Sequence, residues 1–210
     1  MRTYLFLLIV LAETTVAFAA PEPTRAKLPS IWTLDVAFEN LQQIGVQIPG
    51  DSTPTRFWYM ILTLTNDTGR EVSFYPDIWL TTDTFTTVQA SRDAREKVFN
   101  KIRTRHQGRY PFLEPFEFVA DRILQGADNS KDLAVIFPDF DPCAKQISIF
   151  IGGLSNETAI VNHPTEKDPN GSPVKVVLKK TLELQYAIPG DSSLRDAQTL
   201  GFIGKRWVMR

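Results

Sequence analysis

The sequence predicts a mainly β, antiparallel sandwich with one inserted amphipathic helix. Three observations predict this class. Apolar and polar residues alternate with a period of two through most of the chain. Turn residues separate the alternating runs at intervals of roughly 8–14 residues, as in sandwiches. One segment shows helical periodicity instead, and strands do not alternate with helices, so a parallel sheet is not expected.

Composition places the chain among globular proteins. Of its 210 residues, 43% are hydrophobic and 22% are charged, which excludes a disordered chain and a collagen-like repeat. Lys plus Arg total 23 and Asp plus Glu total 24, a formal net charge of −1. A near-neutral chain has no whole-molecule attraction for phosphate backbones, so we expect no nucleic-acid partner.

The N-terminal residues are typical of a cleaved export signal. Arg2 gives a charged start, residues 4–12 form an apolar run, and Ala17-Phe18-Ala19 has the small-x-small pattern that signal peptidases accept. We interpret residues 1–19 as a signal peptide and residues 20–210 as a single exported domain, periplasmic or secreted. The apolar run of about 9 residues is shorter than the ~20 of a membrane span, so the mature form is expected to have none.

The first two alternating runs predict strands that could pair across residues 39–43. Their apolar positions are Trp32, Leu34, Val36 and Phe38 in the first run and Ile44, Val46 and Ile48 in the second. The next run, residues 56–65, is apolar on both faces, which predicts a central strand buried on both sides. Further strands are predicted over residues 72–74 and 78–82.

Residues 91–107 predict the inserted amphipathic helix. Ala94, Val98 and Ile102 recur at four-residue spacing. Asp93 would begin this helix and Gly108 would end it. Strand patterns return at residues 118–124, 133–137, 147–151, 174–186 and 205–210. The polar residues 162–173 are expected to form the longest loop.

The central strand carries a resemblance to a known class of module. Its sequence, Trp58-Tyr59-x-x-Leu62-Thr63-Leu64-Thr65-Asn66-x-Thr68-Gly69, resembles the central strand and turn of immunoglobulin-like modules in exported bacterial proteins. The wider pattern is similar to exported bacterial proteins that have no assigned activity. The resemblance implies an immunoglobulin-like sandwich and no particular function.

Motifs for catalysis, cofactors and metals are not found, so we predict no catalytic, cofactor-binding or metal-ligating residue. Asp139-Phe140-Asp141 lacks the rest of a calcium loop, and residues 201–206 lack the Ser or Thr of a phosphate loop. The lone Cys143 is expected to be buried or to pair with another molecule, and burial is the favoured interpretation. His106 and His163 are the two histidines that a catalytic site could use.

Two surfaces are candidates for binding. Lys97, Lys101 and Arg105 line up along the predicted helix and could meet an anionic partner, unless the acidic residues within 110–142 neutralise them. Trp79 could belong to a sugar-stacking platform of rings, and it is the ring of that platform expected to be most exposed. The other rings of that platform would be Trp58, Tyr75 and Trp207.

These observations favour a non-catalytic, exported interaction or structural module that meets a protein or glycan partner in the cell envelope. Two alternatives stay open. One is a carbohydrate-binding module, which a row of exposed rings that includes Trp79 would favour. The other is a hydrolase acting on envelope polymers, with His106 and nearby carboxylates in its site.

Overall fold

A computed structural model describes residues 20–23, 30–48, 50, 52–90, 96–119, 122–191 and 199–210. Within these ranges the protein is mainly β, with antiparallel sheets and one α-helix, as predicted. The strands are β1 (Asp35–Phe38), β2 (Gln42–Val46), β3 (Thr55–Thr65), β4 (Val72–Ser73), β5 (Asp77–Thr82), β6 (Thr87–Gln89), β7 (Glu114–Pro115), β8 (Arg122–Ile123), β9 (Lys131–Pro138), β10 (Gln146–Gly152), β11 (Thr158–Lys167), β12 (Pro173–Ala187) and β13 (Gly201–Met209). The helix is α1 (Glu96–His106).

The first sheet is built around β3. Strand β9 pairs with it along one edge, and β1 and β2 pair with it one after the other along the opposite edge. The prediction that β1 and β2 pair with each other is therefore wrong. At 11 residues, β3 is long enough to bind both short strands end to end. A short parallel pairing of β7 with β9 completes this sheet.

The second sheet has the order β11-β12-β10-β5-β6, and β13 pairs with β12. The loop predicted at residues 162–173 is wrong, because β11 continues to Lys167 and forms a hairpin with β12. Only residues 168–172 turn, held by the Asp168 carboxylate, which accepts the backbone N–H groups of Asn170 and Ser172. Strand β11 escaped prediction because its side chains are mostly exposed and polar.

The described part of residues 118–124 contains less strand than predicted, and residues 120 and 121 lie outside the described residues. Residues Phe116–Phe118 form a short 3-10 turn, and β8 contains only Arg122 and Ile123, which pair with β4.

The two sheets pack face to face over one apolar core, in the manner of a β-sandwich. Met60 and Leu62 enter it from β3, and Ile149 and Leu184 enter it from the second sheet. The opposite face of β3 packs against the helix, where Tyr59 belongs to a second buried cluster. As predicted, β3 is thus buried on both faces.

Helix α1 lies on the outer face of the first sheet. Its buried residues are Val98, Phe99 and Ile102, which pack against residues of β2, β3 and β9. The helix falls within the predicted range of 91–107, and residues 91–95, including the predicted start Asp93, lie outside the described residues. Within the described ranges, no helix is both long and apolar enough to cross a membrane.

Cys143 is exposed, which contradicts the expectation that it is buried. It lies in the turn between β9 and β10, where its backbone N–H donates to the Asp141 carboxylate at 2.8 Å. The apolar residues that this turn buries are Phe140 and Ala144. Because the neighbouring Ala144 takes the inward position, the thiol points outward.

Candidate functional site

The outer face of the second sheet carries an unexpected pair of rings. Along β10, residues 147, 149 and 151 face the core, so Phe150 faces outward. Trp79 on β5 is its direct antiparallel partner and lies on the same face. Both side chains are half-buried. Cross-strand partners have their Cβ atoms about 4.5–5.5 Å apart, so the two rings are neighbours.

These rings belong to a cleft of about 530 Å³. Trp32 and Tyr75 lie at its margins, and Tyr75 is 66% exposed. The remaining lining residues are mostly small or polar: Ser73, Asp77, Gly152, Gly153, Ser155, Asn156, Thr158, Lys179, Thr181 and Arg210. The cleft therefore combines aromatic surfaces with hydrogen-bonding groups.

Two glycines shape the floor of the cleft. Gly152 pairs with Asp77 on β5, and a Cβ atom there would lie 3.1 Å from the Asp77 carbonyl oxygen. Gly153 has φ +86°, and its Cβ would lie 2.3 Å from the carbonyl oxygen of Tyr75. Only glycine allows the chain after β10 to approach the backbone of Tyr75 so closely. This close approach fixes Tyr75 at the margin.

Hydrogen bonds hold the two tryptophans. The Trp79 indole Nε1–H donates to Asp77 Oδ1 at 2.7 Å. The Trp32 backbone N–H donates to Asn156 Oδ1 at 2.8 Å, and the Asn156 amide donates to the Ser30 carbonyl at 2.9 Å. These bonds hold the Trp79 ring and the backbone of Trp32, and such preorganisation lowers the entropy lost when a ligand binds.

Arg210 crosses the cleft from the end of β13. Its guanidinium carbon lies 4.0 Å from the centroid of the Phe150 ring. A cation over a ring face at this distance is attracted by the negative face of the ring. The stacked guanidinium keeps its N–H donors directed around its edge, where a ligand can reach them.

The predicted platform of rings is realised only in part. Trp79 and Tyr75 line the cleft, and Trp79 is half-buried rather than the most exposed ring. Trp58 belongs to the core at 1% exposure and donates its Nε1–H to Asp139. Trp207 packs against the core from β13.

The predicted cationic surface on α1 lies on the other side of the molecule, because α1 covers the first sheet. Lys97, Lys101 and Arg105 are all exposed. Lys101 Nζ donates to the Gly45 carbonyl at 2.6 Å, and Arg105 donates to the Tyr59 hydroxyl at 3.2 Å. The described partners of these two cations thus lie on β2 and β3 rather than within residues 110–142, and both cations help to hold the helix on the sheet.

His106 contacts a hydroxyl group. Its Nε2 lies 2.8 Å from the Tyr59 hydroxyl oxygen, which itself donates to Gln42 Oε1 at 3.0 Å. Burial, together with the positive charge of Arg105, lowers the pKa of His106. The ring belongs to the contact between helix and sheet. The paired carboxylates that the hydrolase hypothesis places beside His106 are not among its described hydrogen-bond partners.

His163 and the acidic residues give no further site. The Nδ1 of His163 accepts the Glu166 backbone N–H at 2.9 Å within β11, which is a local structural contact. In the described ranges, no three His, Cys, Asp or Glu side chains converge where they could share a metal ion.

Among the residues that line the cleft, the sequence pointed only to Trp79 and Tyr75. The lining residues that were missed include Trp32, Phe150, Lys179 and Arg210. A signal for Phe150 was present, since it is a large aromatic residue at an outward position between Ser148 and Gly152. The others come together only through pairings between distant segments of the chain.

Comparison with known proteins found no match to a family model, to a curated protein or to a solved structure.

Proposed function

We propose that this protein is an exported, non-catalytic module that binds a glycan in the cleft on the second sheet. The observation that carries the proposal is the pairing of Trp79 with Phe150 at the floor of the cleft. Rings present flat apolar faces, which match the C–H faces of sugar rings. The polar lining supplies donors and acceptors for sugar hydroxyl groups, and about 530 Å³ is an ordinary volume for a small-ligand site.

Binding without turnover is favoured by the carboxylates of the cleft. Most glycoside hydrolases use two carboxyl groups on either side of the scissile bond. Among the described lining residues, Asp77 is the single carboxylate, and it already accepts the Trp79 indole N–H. This chemistry supports a binding module over a hydrolase.

Export and the immunoglobulin-like subclass belong to the same proposal. The N-terminal pattern of residues 1–19 supports delivery to the cell envelope, where polysaccharides are abundant partners. The immunoglobulin-like subclass is supported by the face-to-face sheets and by β3, a central strand that is buried on both faces.

The test is titration calorimetry of the purified exported protein with neutral and acidic hexasaccharides. Trp79→Ala should weaken binding about thirtyfold, since a tryptophan at the centre of an interface commonly contributes ~2 kcal/mol. The matched control is Phe112→Ala, which removes an 86% exposed ring that does not line the cleft. Equal losses in the two variants, or no binding of any hexasaccharide, would refute the proposed function.

A further inference from the structure

Two cations face each other across neighbouring strands in the cleft. The Lys179 backbone N–H donates to the Arg210 carbonyl at 2.7 Å, and the Arg210 N–H donates back to the Lys179 carbonyl at 3.1 Å. This reciprocal bonding makes them direct antiparallel partners, whose side chains lie on the same face. Both side chains line the cleft and both are exposed.

Such a pair costs stability when nothing neutralises it. Like charges directly opposite each other on one face of a sheet repel, and the cost is of the order of several tenths of a kcal/mol. Among the described residues, neither Lys179 nor Arg210 forms an ion pair with a carboxylate. Asp77, the one acid among the described residues that line the cleft, accepts the Trp79 indole N–H. A ligand with anionic groups would relieve the repulsion between the two cations.

Arg210 reaches the rings across a neighbouring strand. It follows β13, and β12 lies between β13 and β10, the strand that carries Phe150. The guanidinium carbon nevertheless lies 4.0 Å from the centroid of the Phe150 ring. Stacking on Phe150 then holds the guanidinium plane beside the surface where a sugar ring would lie.

We infer that the ligand of the cleft is an acidic glycan, whose sugar-borne anionic groups bind Lys179 and Arg210 while its rings stack on Trp79 and Phe150. This inference rests on the proposed function and adds the chemical class of the glycan. The recognised chemistry is an anionic oxygen group, since the guanidinium fork of Arg210 matches carboxylates, sulfates and phosphates in two-point geometry. Lys179 adds a second, flexible positive charge.

The experiment compares charged and neutral forms of the same sugar. Titration calorimetry uses hexasaccharides of galacturonic and mannuronic acid, their fully methyl-esterified neutral forms, and a heparin hexasaccharide as the sulfated arm. Inorganic phosphate alone tests whether the anionic group is recognised without a sugar, and a glutamate hexapeptide tests for unspecific attraction. The variants are Arg210→Gln, Arg210→Lys and Lys179→Gln. Lys97→Gln, an exposed cation of α1, is the matched control.

The expected result is a loss of about tenfold in affinity for the acidic sugar in Arg210→Gln, as a charge-assisted hydrogen bond predicts. Arg210→Lys should recover only part of it. Binding of the methyl ester should be weaker than that of the acid and unchanged by these variants. Lys97→Gln should bind the acidic sugar as the unaltered protein does.

Several outcomes would overturn the inference, and they separate it from the proposed function. Equal affinity for the acid and its ester, with no effect of Arg210→Gln, leaves a neutral-glycan module and rejects the acidic ligand. A loss in Lys97→Gln alone would move the anionic site to α1. Binding of the glutamate peptide or of phosphate as tight as that of the sugars would reject a glycan. If no sugar binds, both proposals fail.

Discussion

Replacing Gly153 by alanine should destabilise the protein more than the same change at an ordinary turn glycine. Gly153 has φ +86°, and an added Cβ would lie 2.3 Å from the backbone carbonyl oxygen of Tyr75. Gly171, in the turn between β11 and β12, has nearly the same φ of +83°, but nothing lies within 4 Å of its Cβ position. Comparing the two variants therefore separates the clash from the backbone strain.

The magnitudes follow from these two terms. Placing an alanine in the left-handed region costs about 1–2 kcal/mol, and Gly171→Ala should lose about that much free energy of unfolding. In Gly153→Ala, the added Cβ also clashes with the backbone oxygen of Tyr75. A backbone atom cannot move aside as the end of a flexible side chain can, so the chain itself must shift. Forcing extra volume into a packed position costs about 1–3 kcal/mol more. The cleft margin should shift as well, because Tyr75 is the residue displaced.

Urea denaturation followed by tryptophan fluorescence measures both variants against the unaltered protein. We expect Gly153→Ala to lose at least about 1 kcal/mol more free energy of unfolding than Gly171→Ala. Glycan affinity supplies a second measurement, and it should fall in Gly153→Ala but not in Gly171→Ala. If the two variants unfold at the same urea concentration with the same slope, Gly153 does not hold Tyr75 against the chain, and the account of the cleft margin is wrong.

Three further predictions concern other parts of the molecule. Although desolvation raises the pKa of Glu183, its hydrogen bonds, with Arg206 first among the donors, lower it overall below 4.5. The carboxylate therefore contributes stability above pH 4.5, and this contribution is lost as the pH falls through the pKa of Glu183 in the folded protein. In Glu183→Gln, the free energy of unfolding should fall less steeply with decreasing pH in the acidic range. An unchanged dependence on pH would count against this. Cys143 should react with a thiol reagent in the native protein nearly as fast as in urea, and slow native labelling would contradict its exposure. Tyr59→Phe removes the hydroxyl that contacts His106 and should lower the free energy of unfolding, measured by urea denaturation, by about 1 kcal/mol. An unchanged free energy would show that the hydrogen bonds of this hydroxyl do not stabilise the protein.

The sequence pattern was most informative where one face of an element is buried. The alternation of β5 and β10 and the two-sided apolar run of β3 were predictable, because burial selects those side chains one by one. The helical stripe of Val98 and Ile102 was predictable for the same reason. Strand β11 was missed because solvent surrounds most of it and imposes no apolar period.

Pairing between strands was less predictable than the strands themselves. Two neighbouring strands with a short connection usually pair, yet β1 and β2 each pair with β3 instead. The residues of β1 and β2 do not indicate that β3 is long enough to pair with both strands. The exposed Cys143 shows the same limit, since its surroundings depend on which turn residue, Ala144 or its neighbour, packs inward.

The cleft was hidden from the sequence because its members are far apart along the chain. The order of strands in the second sheet brings Phe150 on β10 close to Arg210, which follows β13. Trp32, which precedes β1, joins them through its backbone hydrogen bond to Asn156. Of the members of the cleft, only Trp79 and Tyr75 were predicted as rings of a possible platform. The partner of Trp79 on the sheet could not be named without the antiparallel register of β5 with β10.

The position of the cleft follows from the order of the layers. The helix covers the outer face of the first sheet, and the core fills the space between the sheets. Aromatic side chains on the outer face of the second sheet are therefore not needed to fill the core. Placing Trp79 and Phe150 there leaves ring surface partly exposed to water, which favours covering it. Two exposed cations, Lys179 and Arg210, lie beside the rings. A partner with an apolar surface would cover the rings but would leave these two charges unpaired. A flat, polar and negatively charged molecule satisfies both requirements at once, and an acidic sugar chain has these properties.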